Sequence, residues 1–90
     1  MGKPTLIFSS ELIRAARALL RWEQRDLADA SSVSLPTIKR LESKPGVMAA
    51  HMSTVAALKK ALEAAGILFI DENGGGPGVR LRKRMSKRGK

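Results

Sequence analysis

Two short runs with the apolar spacing of helices, separated by a serine-rich break, constrain the fold most strongly. They lie in "EQRDLADASSVSLPTIKRLES", residues 23–43. The candidates to face inward are Leu27, Ala28, Val33, Ile38 and Leu41. The serines of "ASSVS" compete for backbone hydrogen bonds and favour turns and caps over a helix interior. Isolated helices shorter than about 12 residues are marginal in water, so both segments must pack against other parts of the chain.

A longer segment on each side can supply that packing. From Ser10 to Leu20, apolar residues recur at the spacing of one helix face, and Ser9 or Ser10 is available as the N-cap. A later segment, after the turn signal "SKPG", is predicted to be capped by Ser53 and to end at Gly66. The residues predicted to face inward are Leu12, Ile13, Ala16, Leu19 and Leu20 in the first segment and Val55, Leu58, Leu62 and Ala65 in the second.

After Gly66, the spacing of apolar residues changes from a helical pattern to one typical of β-strands. "ILFID" is a short β-prone run, "ENGGGPG" is a glycine-rich turn, and "VRLRKR" alternates apolar and basic residues, which predicts a hairpin with its arginines toward solvent. The predicted fold is mainly α, a compact bundle of four to five helices followed by a C-terminal β-hairpin. We divide the chain into an N-terminal arm (1–9), a helical domain (10–66), the hairpin (67–84), which belongs to that domain or to a dimer interface, and a disordered basic tail (85–90).

Length and charge narrow the class of partner. The sequence has 90 residues, no cysteine, and a formal charge of +9 from 17 Lys and Arg against 8 Asp and Glu. One domain is expected at this length, and the charge favours a polyanionic partner such as nucleic acid. Much of the excess lies in residues 79–90, which contain no acid. Because such tails also serve as solubilising ends, membrane-surface patches or non-specific arms, the tail alone does not decide the partner.

Several functions lack the residues they need. Catalysis requires convergent acids, bases, nucleophiles or metal ligands, and the chain offers one histidine, His51, without a paired carboxylate at helical spacing. We therefore expect no enzyme, no metal and no cofactor. The glycine-rich turn lacks the Lys and Ser/Thr of a P-loop. No apolar run approaches the roughly 20 residues that span a bilayer, and the start has too short an apolar stretch for a secretory signal, so we expect no membrane partner and a cytoplasmic protein.

The segment "EQRDLADASSVSLPTIKRLE" resembles the helix-turn-helix of the lambda-repressor-like, Cro-type proteins, often called the XRE family. That pattern has a polar residue opening the first motif helix, an apolar-Ala pair one turn on, a small turn residue followed by an apolar one, and an apolar-x-x-apolar recognition helix. Those slots are filled in order by Gln24, Leu27-Ala28, Ser32-Val33 and Ile38-Leu41. The turn commonly holds glycine in the family, and Ser32 departs from this. The resemblance implies that the predicted bundle is a compact helix-turn-helix bundle.

The resemblance also implies that the second motif helix enters the major groove of DNA while the first lies across the backbone. Gln24 would contact phosphate at a helix N-terminus. The residues that would face base edges or flanking phosphates are Ser34, Leu35, Pro36, Thr37 and Arg40, and those that would reach the backbone are Lys39 and Lys44. Further candidates for backbone contacts are Arg14, Arg17, Arg21, Arg25, Arg80, Arg82, Lys83 and Arg84. The first three form a basic stripe, for which a solvated helix face is the alternative.

Side-chain chemistry ranks the residues of the recognition helix. Arg40 is the strongest candidate for direct readout, because its planar fork can pair with guanine O6 and N7 and discriminate by about 1–3 kcal/mol. Leu35 and Pro36 can read only thymine methyls or groove shape, whereas Thr37 can do either. Proline is tolerated in the first turn of a helix and biases the preceding residue away from helical geometry. The helix is therefore predicted to begin at Pro36.

The sequence thus predicts a sequence-specific double-stranded DNA-binding transcriptional regulator. It would act as a homodimer on a two-fold-symmetric operator, because such binders place two recognition helices about 34 Å apart. The helix over 54–65 and the hairpin over 67–84 are both candidates for the dimer interface. One alternative is an antitoxin-like or anti-activator protein of the same fold that acts through a protein partner. Another is a basic architectural or RNA-associated protein that binds through its C-terminal tail.

Overall fold

The computed structural model describes residues 8–48, 50–71 and 74–82. Four helices and one antiparallel hairpin make up this part of the chain, so the predicted mainly α fold with a C-terminal hairpin is confirmed. The elements in chain order are α1 (Ser10–Leu20), α2 (Gln24–Ser31), α3 (Leu35–Glu42), α4 (Met52–Ala64), β1 (Ile67–Ile70) and β2 (Gly78–Leu81). None of the helices in this part of the chain combines the length and the hydropathy that a membrane span requires.

Helix α1 contributes Leu12, Ile13, Ala16 and Leu20 to the core and is capped by Ser9. The Ser9 hydroxyl accepts a hydrogen bond from the Leu12 backbone N–H at 3.1 Å, as expected of an N-cap serine. Leu19, which was predicted to face inward, is 38% exposed, because it lies at the edge of the apolar stripe. The buried residues of the core are Phe8, Leu12, Ile13, Ala16, Leu20, Leu27, Ile38, Leu41, Leu58, Leu62 and Ile67.

The connection between α2 and α3 is tight. Helix α2 ends at Ser31, and Ser32 adopts the left-handed conformation, with φ 62°. Helix α3 then begins at Leu35, because the Ser34 hydroxyl accepts from the Thr37 backbone N–H at 3.3 Å and caps it. The prediction that the helix begins at Pro36 is therefore wrong by one residue. Proline in the first turn still loses no intrahelical bond, so the cap sets the start.

Helix α4 begins earlier than predicted. Its N-cap is His51 and not Ser53, because the first turn closes on the His51 carbonyl, which accepts from the backbone N–H groups of Thr54 at 3.0 Å and Val55 at 3.1 Å. Gly66 follows the helix with φ 113°, a conformation that favours glycine, so the predicted stop is in place.

The hairpin packs on the helices and closes the core. Strand β1 pairs with β2 so that Phe69 lies opposite Val79, and the Phe69 ring meets the Phe8 ring edge to face, with centroids 5.1 Å apart. Arg80 is exposed, as the alternation predicts. Phe8 belongs to the core and Ser9 caps α1, so these two residues of the predicted arm are part of the fold. Residues 1–7, Lys83, Arg84 and the predicted tail over 85–90 lie outside the described residues.

The left-handed turn at Ser32 generates a stability prediction. An L-residue in this conformation costs about 1–2 kcal/mol because its Cβ crowds the following carbonyl, whereas glycine has no Cβ. Part of the gain is offset by the greater freedom of glycine in the unfolded chain. We therefore expect Ser32→Gly to raise the free energy of unfolding by about 1 kcal/mol, measured by urea denaturation. Ser32→Ala is the matched control and should give no gain; equal stabilisation by both variants would contradict the explanation.

Candidate nucleic-acid interface

Helix α3 presents a basic outer face. Its inner side carries Ile38 and Leu41, which are buried in the core. On the outer side, Lys39, Arg40 and the following Lys44 are exposed. None of these three cations forms an ion pair with any residue of the described part of the chain. They are therefore available to an external anion.

The start of α3 also carries predicted site residues. Pro36 is exposed, and Leu35 and Thr37 are half-buried. The Ser34 hydroxyl donates to Thr37 Oγ1 at 2.9 Å while it accepts from the Thr37 backbone N–H. Since Ser34 has a single hydroxyl proton, the Thr37 hydroxyl is the one left to donate outward. The structure thus brings the predicted residues of α3 together on one helix.

A hydrogen-bonded network behind α3 contains two of the predicted site residues. Arg17 Nη2 lies 2.7 Å from Glu42 Oε1, and Arg17 Nε donates to Glu42 Oε2 at 2.9 Å. Arg17 Nη1 donates to the Trp22 carbonyl at 2.9 Å, and Gln24 Nε2 donates to Glu42 Oε1 at 3.0 Å. The Arg17 side chain is 18% exposed and the Glu42 side chain is 3% exposed. The network therefore joins α1, α2 and α3 around a buried carboxylate.

This network corrects the predicted basic stripe of α1. All three guanidinium nitrogens of Arg17 are bonded inside the protein, so the residue is not part of a solvated face. Its nearness to Glu42 could not be read from the spacing within α1. Arg14, by contrast, is exposed and lies 3.7 Å from Glu11, and Arg21 is exposed after the end of the helix. Arg17 is a positioning residue for α3.

Gln24 has a similar inward role. One of its amide N–H groups is bonded to Glu42, which fastens the first turn of α2 to the end of α3. The carboxylates of Glu23 and Asp26 lie at the same turn, and Asp26 Oδ2 accepts from the Glu23 backbone N–H at 2.8 Å. Negative side chains at a helix N-terminus repel a further anion. This arrangement disfavours the predicted phosphate contact of Gln24.

The remaining predicted cations lie on other elements. Arg25 on α2 is exposed, and so is Arg80 on β2. Arg82 donates from Nη2 to the Glu63 carbonyl at 3.2 Å, a bond that helps to hold the end of β2 against α4. Lys83 and Arg84 fall outside the described residues.

The sequence reasoning missed one residue beside α3. His51, which precedes α4, lines a cleft between α3 and α4 together with Thr37, Arg40, Ala50 and Thr54. Periodicity within a segment does not show which side of α4 meets α3, so the sequence held no signal that His51 stands near Arg40. The cleft extends the basic face of α3 toward the start of α4.

The loop after α3 is anchored to the start of α1 by an acid. The Gly46 backbone N–H donates to Glu11 Oε1 at 3.0 Å, and the Gly46 carbonyl accepts from the Ser10 N–H at 3.0 Å. The bond from Gly46 lowers the pKa of the Glu11 carboxyl, helped by its own backbone N–H and by the charge of Arg14. A charged Glu11 thus helps to set the path of the chain that follows the basic helix.

Comparison of the chain with models of known protein families and with curated proteins finds no match. The resemblance to lambda-repressor-like proteins therefore stays a prediction from the residues that fill its pattern. Within residues 8–48, 50–71 and 74–82, no three His, Cys, Asp or Glu side chains form a group that could hold a metal ion.

The buried ion pair generates a second prediction. Arg17→Met should lower the free energy of unfolding by about 3 kcal/mol or more, because it leaves the Glu42 charge buried without its partner. Combining Arg17→Met with Glu42→Leu removes that charge as well and should recover much of the loss. Urea denaturation of the wild-type protein, both single variants and the double variant gives the coupling free energy. Additive losses would show that the two side chains do not stabilise each other.

The Glu11 contact predicts a pH dependence. Because its folded pKa lies below its ordinary value, Glu11 contributes stability that is present above the ordinary value and is lost as the pH falls through the folded pKa. Glu11→Gln keeps an acceptor for the Gly46 N–H but cannot titrate. We expect the stability difference between wild-type and Glu11→Gln to shrink as unfolding is measured from pH 7 down to pH 3. A difference that is constant over this range would contradict the assignment.

Proposed function

We propose that the chain is a sequence-specific double-stranded DNA-binding transcriptional regulator that acts as a homodimer. In this proposal α2 and α3 form a helix-turn-helix, and α3 enters the major groove. The observation that carries the proposal is the outer face of α3, where Lys39, Arg40 and Lys44 are exposed while the one acid of the helix, Glu42, is turned inward and paired. A short helix with an acid-free cationic face suits the negatively charged groove and its phosphates.

The side chains divide by the kind of contact they can make. Arg40 can read guanine through two parallel hydrogen bonds. Thr37 can donate to a base acceptor or contact a thymine methyl, and Leu35 and Pro36 can make only apolar or shape-dependent contacts. Lys39 and Lys44 are suited to phosphates as point charges. The proposal thus gives one strong reader of sequence per protomer, flanked by positioning contacts.

A homodimer follows from the size of this reading surface. A single helix covers only a few base pairs, and paired recognition helices about 34 Å apart read two half-sites of a symmetric operator. Either α4 or the hairpin is available as the interface. Ile70 at the end of β1 is 37% exposed, which leaves apolar surface on the hairpin for a second copy.

The Arg40 side chain supplies the main test. Selection from a random duplex pool should yield a palindromic consensus, and Arg40→Ala should weaken discrimination at one position of each half-site by about 1–3 kcal/mol. Arg40→Lys keeps the charge but loses the fork, so it should also lose selectivity. Lys44→Ala is the matched control, and it should weaken binding to all duplexes alike. The slope of log affinity against log salt concentration (the salt slope) should become shallower by about 0.9 per lost phosphate contact.

Two outcomes would overturn the proposal. One is an affinity that does not change between about 50 and 200 mM salt, since several phosphate contacts require a steep decline. The other is unchanged selectivity in Arg40→Ala combined with total loss of binding on removal of the basic tail, which is the result expected of an architectural or RNA-associated protein. That truncation is best made after Arg82, because Val79 and Leu81 pack against the core.

A further inference from the structure

The cleft between α3 and α4 combines a titratable side chain with the basic helix. It is lined by Thr37 and Arg40 from α3, Thr54 from α4, and Ala50 and His51 from the connection before α4. Both His51 and Arg40 are exposed. Arg40 is the one permanently charged residue that lines the cleft among the described residues, and no carboxylate does so. The cleft therefore offers donors and positive charge without a competing acid.

We propose that this cleft binds a backbone phosphate of the operator through His51 in its protonated form, so that DNA binding takes up a proton at each protomer. The inference rests on the proposed function, because it requires α3 to lie in the major groove. A phosphate beside the groove would then meet the cleft while Arg40 reads the neighbouring base pair. Thr54 supplies a hydroxyl group that can donate to the same phosphate, and the Thr37 hydroxyl can do so where Thr37 reads a thymine methyl and not a base acceptor.

The sign of the coupling follows from the charges that face His51. A phosphate placed in the cleft favours the charged imidazole, which can donate from both ring nitrogens. Histidine changes its charge between about pH 5 and pH 8, so the change falls in a range where binding can be measured. Binding is therefore tighter at pH 6 than at pH 8.

His51 is the only histidine in the chain, and the chain has no cysteine. No other side chain of the chain ordinarily titrates between pH 6 and pH 8, so the contribution of His51 to proton uptake can be isolated by substitution at one position. His51→Asn removes the charge at both pH values, and His51→Lys keeps a charge at both. Since the His51 side chain makes no capping hydrogen bond to α4, neither variant removes a bond that holds the helix. Circular dichroism checks that both variants are folded.

The test measures affinity for the selected operator at pH 6 and pH 8 at fixed ionic strength. Wild-type protein should bind about tenfold more tightly at pH 6, with two histidines per dimer each contributing about threefold. The salt slope should be steeper by about 1.8 at pH 6 than at pH 8, because each dimer gains two phosphate contacts. His51→Asn should bind weakly and His51→Lys tightly, both with little change between the two pH values. A pH dependence that persists in His51→Asn would overturn the inference.

The origin of the phosphate is tested separately through the ring-proton signals of the one histidine in proton NMR. Operator duplex should move the titration midpoint of His51 upward, whereas inorganic phosphate at equal ionic strength should not. An equal effect of inorganic phosphate alone would overturn the assignment to DNA and indicate a free-phosphate site. Selective binding that is equally tight at pH 6 and pH 8 would sink this inference and leave the proposed function intact. Absence of any selective duplex binding would instead refute the proposed function itself.

Discussion

The ion pair between Arg17 and Glu42 determines how the first three helices fit together. A buried carboxylate is costly unless its oxygens are paired and hydrogen-bonded, and here both oxygens of Glu42 are bonded to Arg17 while one also accepts from Gln24. Apolar contacts of Ile38 and Leu41 tolerate small shifts of α3, whereas hydrogen bonds of 2.7 to 3.0 Å do not. The hydrogen bonds of Glu42 therefore define the position of α3 more narrowly than the burial of its apolar side chains does.

The same ion pair also determines which charged side chains of α3 are exposed. Glu42 is the only acid of the helix, and its burial against Arg17 leaves cations alone on the outer side. Had the acid stayed on the surface, it would have paired with Lys39, which lies three residues earlier on the helix. The interaction that holds α3 in place therefore also gives its exposed face a single sign. Stability and the proposed DNA-binding surface depend on one buried contact.

The sequence predicts the parts of the fold that depend on local spacing. Apolar periodicity identifies Ile38 and Leu41 as core residues, and the change to alternation identifies the hairpin. Prediction from spacing fails where a residue contacts a partner far along the chain. Arg17 is predicted to be exposed on α1 because its partner, Glu42, lies 25 residues away. Prediction is least certain where two local rules compete, as when Pro36 and the Ser34 cap imply different helix starts. The predicted residues of α3 share one helix. That His51 lies in the same cleft as Arg40 depends on how α4 packs, which the sequence does not show.

The composition of α3 bears on how selectivity could arise. Under the proposed function, the leading residues Leu35 and Pro36 have no side-chain hydrogen bonds to offer, so Arg40 supplies most of the direct discrimination. A single bidentate contact distinguishes bases by about 1–3 kcal/mol, less than the roughly 4–10 kcal/mol that separates specific from non-specific binding. A symmetric dimer doubles the contribution, and the deformability of the operator must supply much of the rest. The apolar start of α3 therefore makes dimerisation and DNA shape necessary parts of the proposed mechanism.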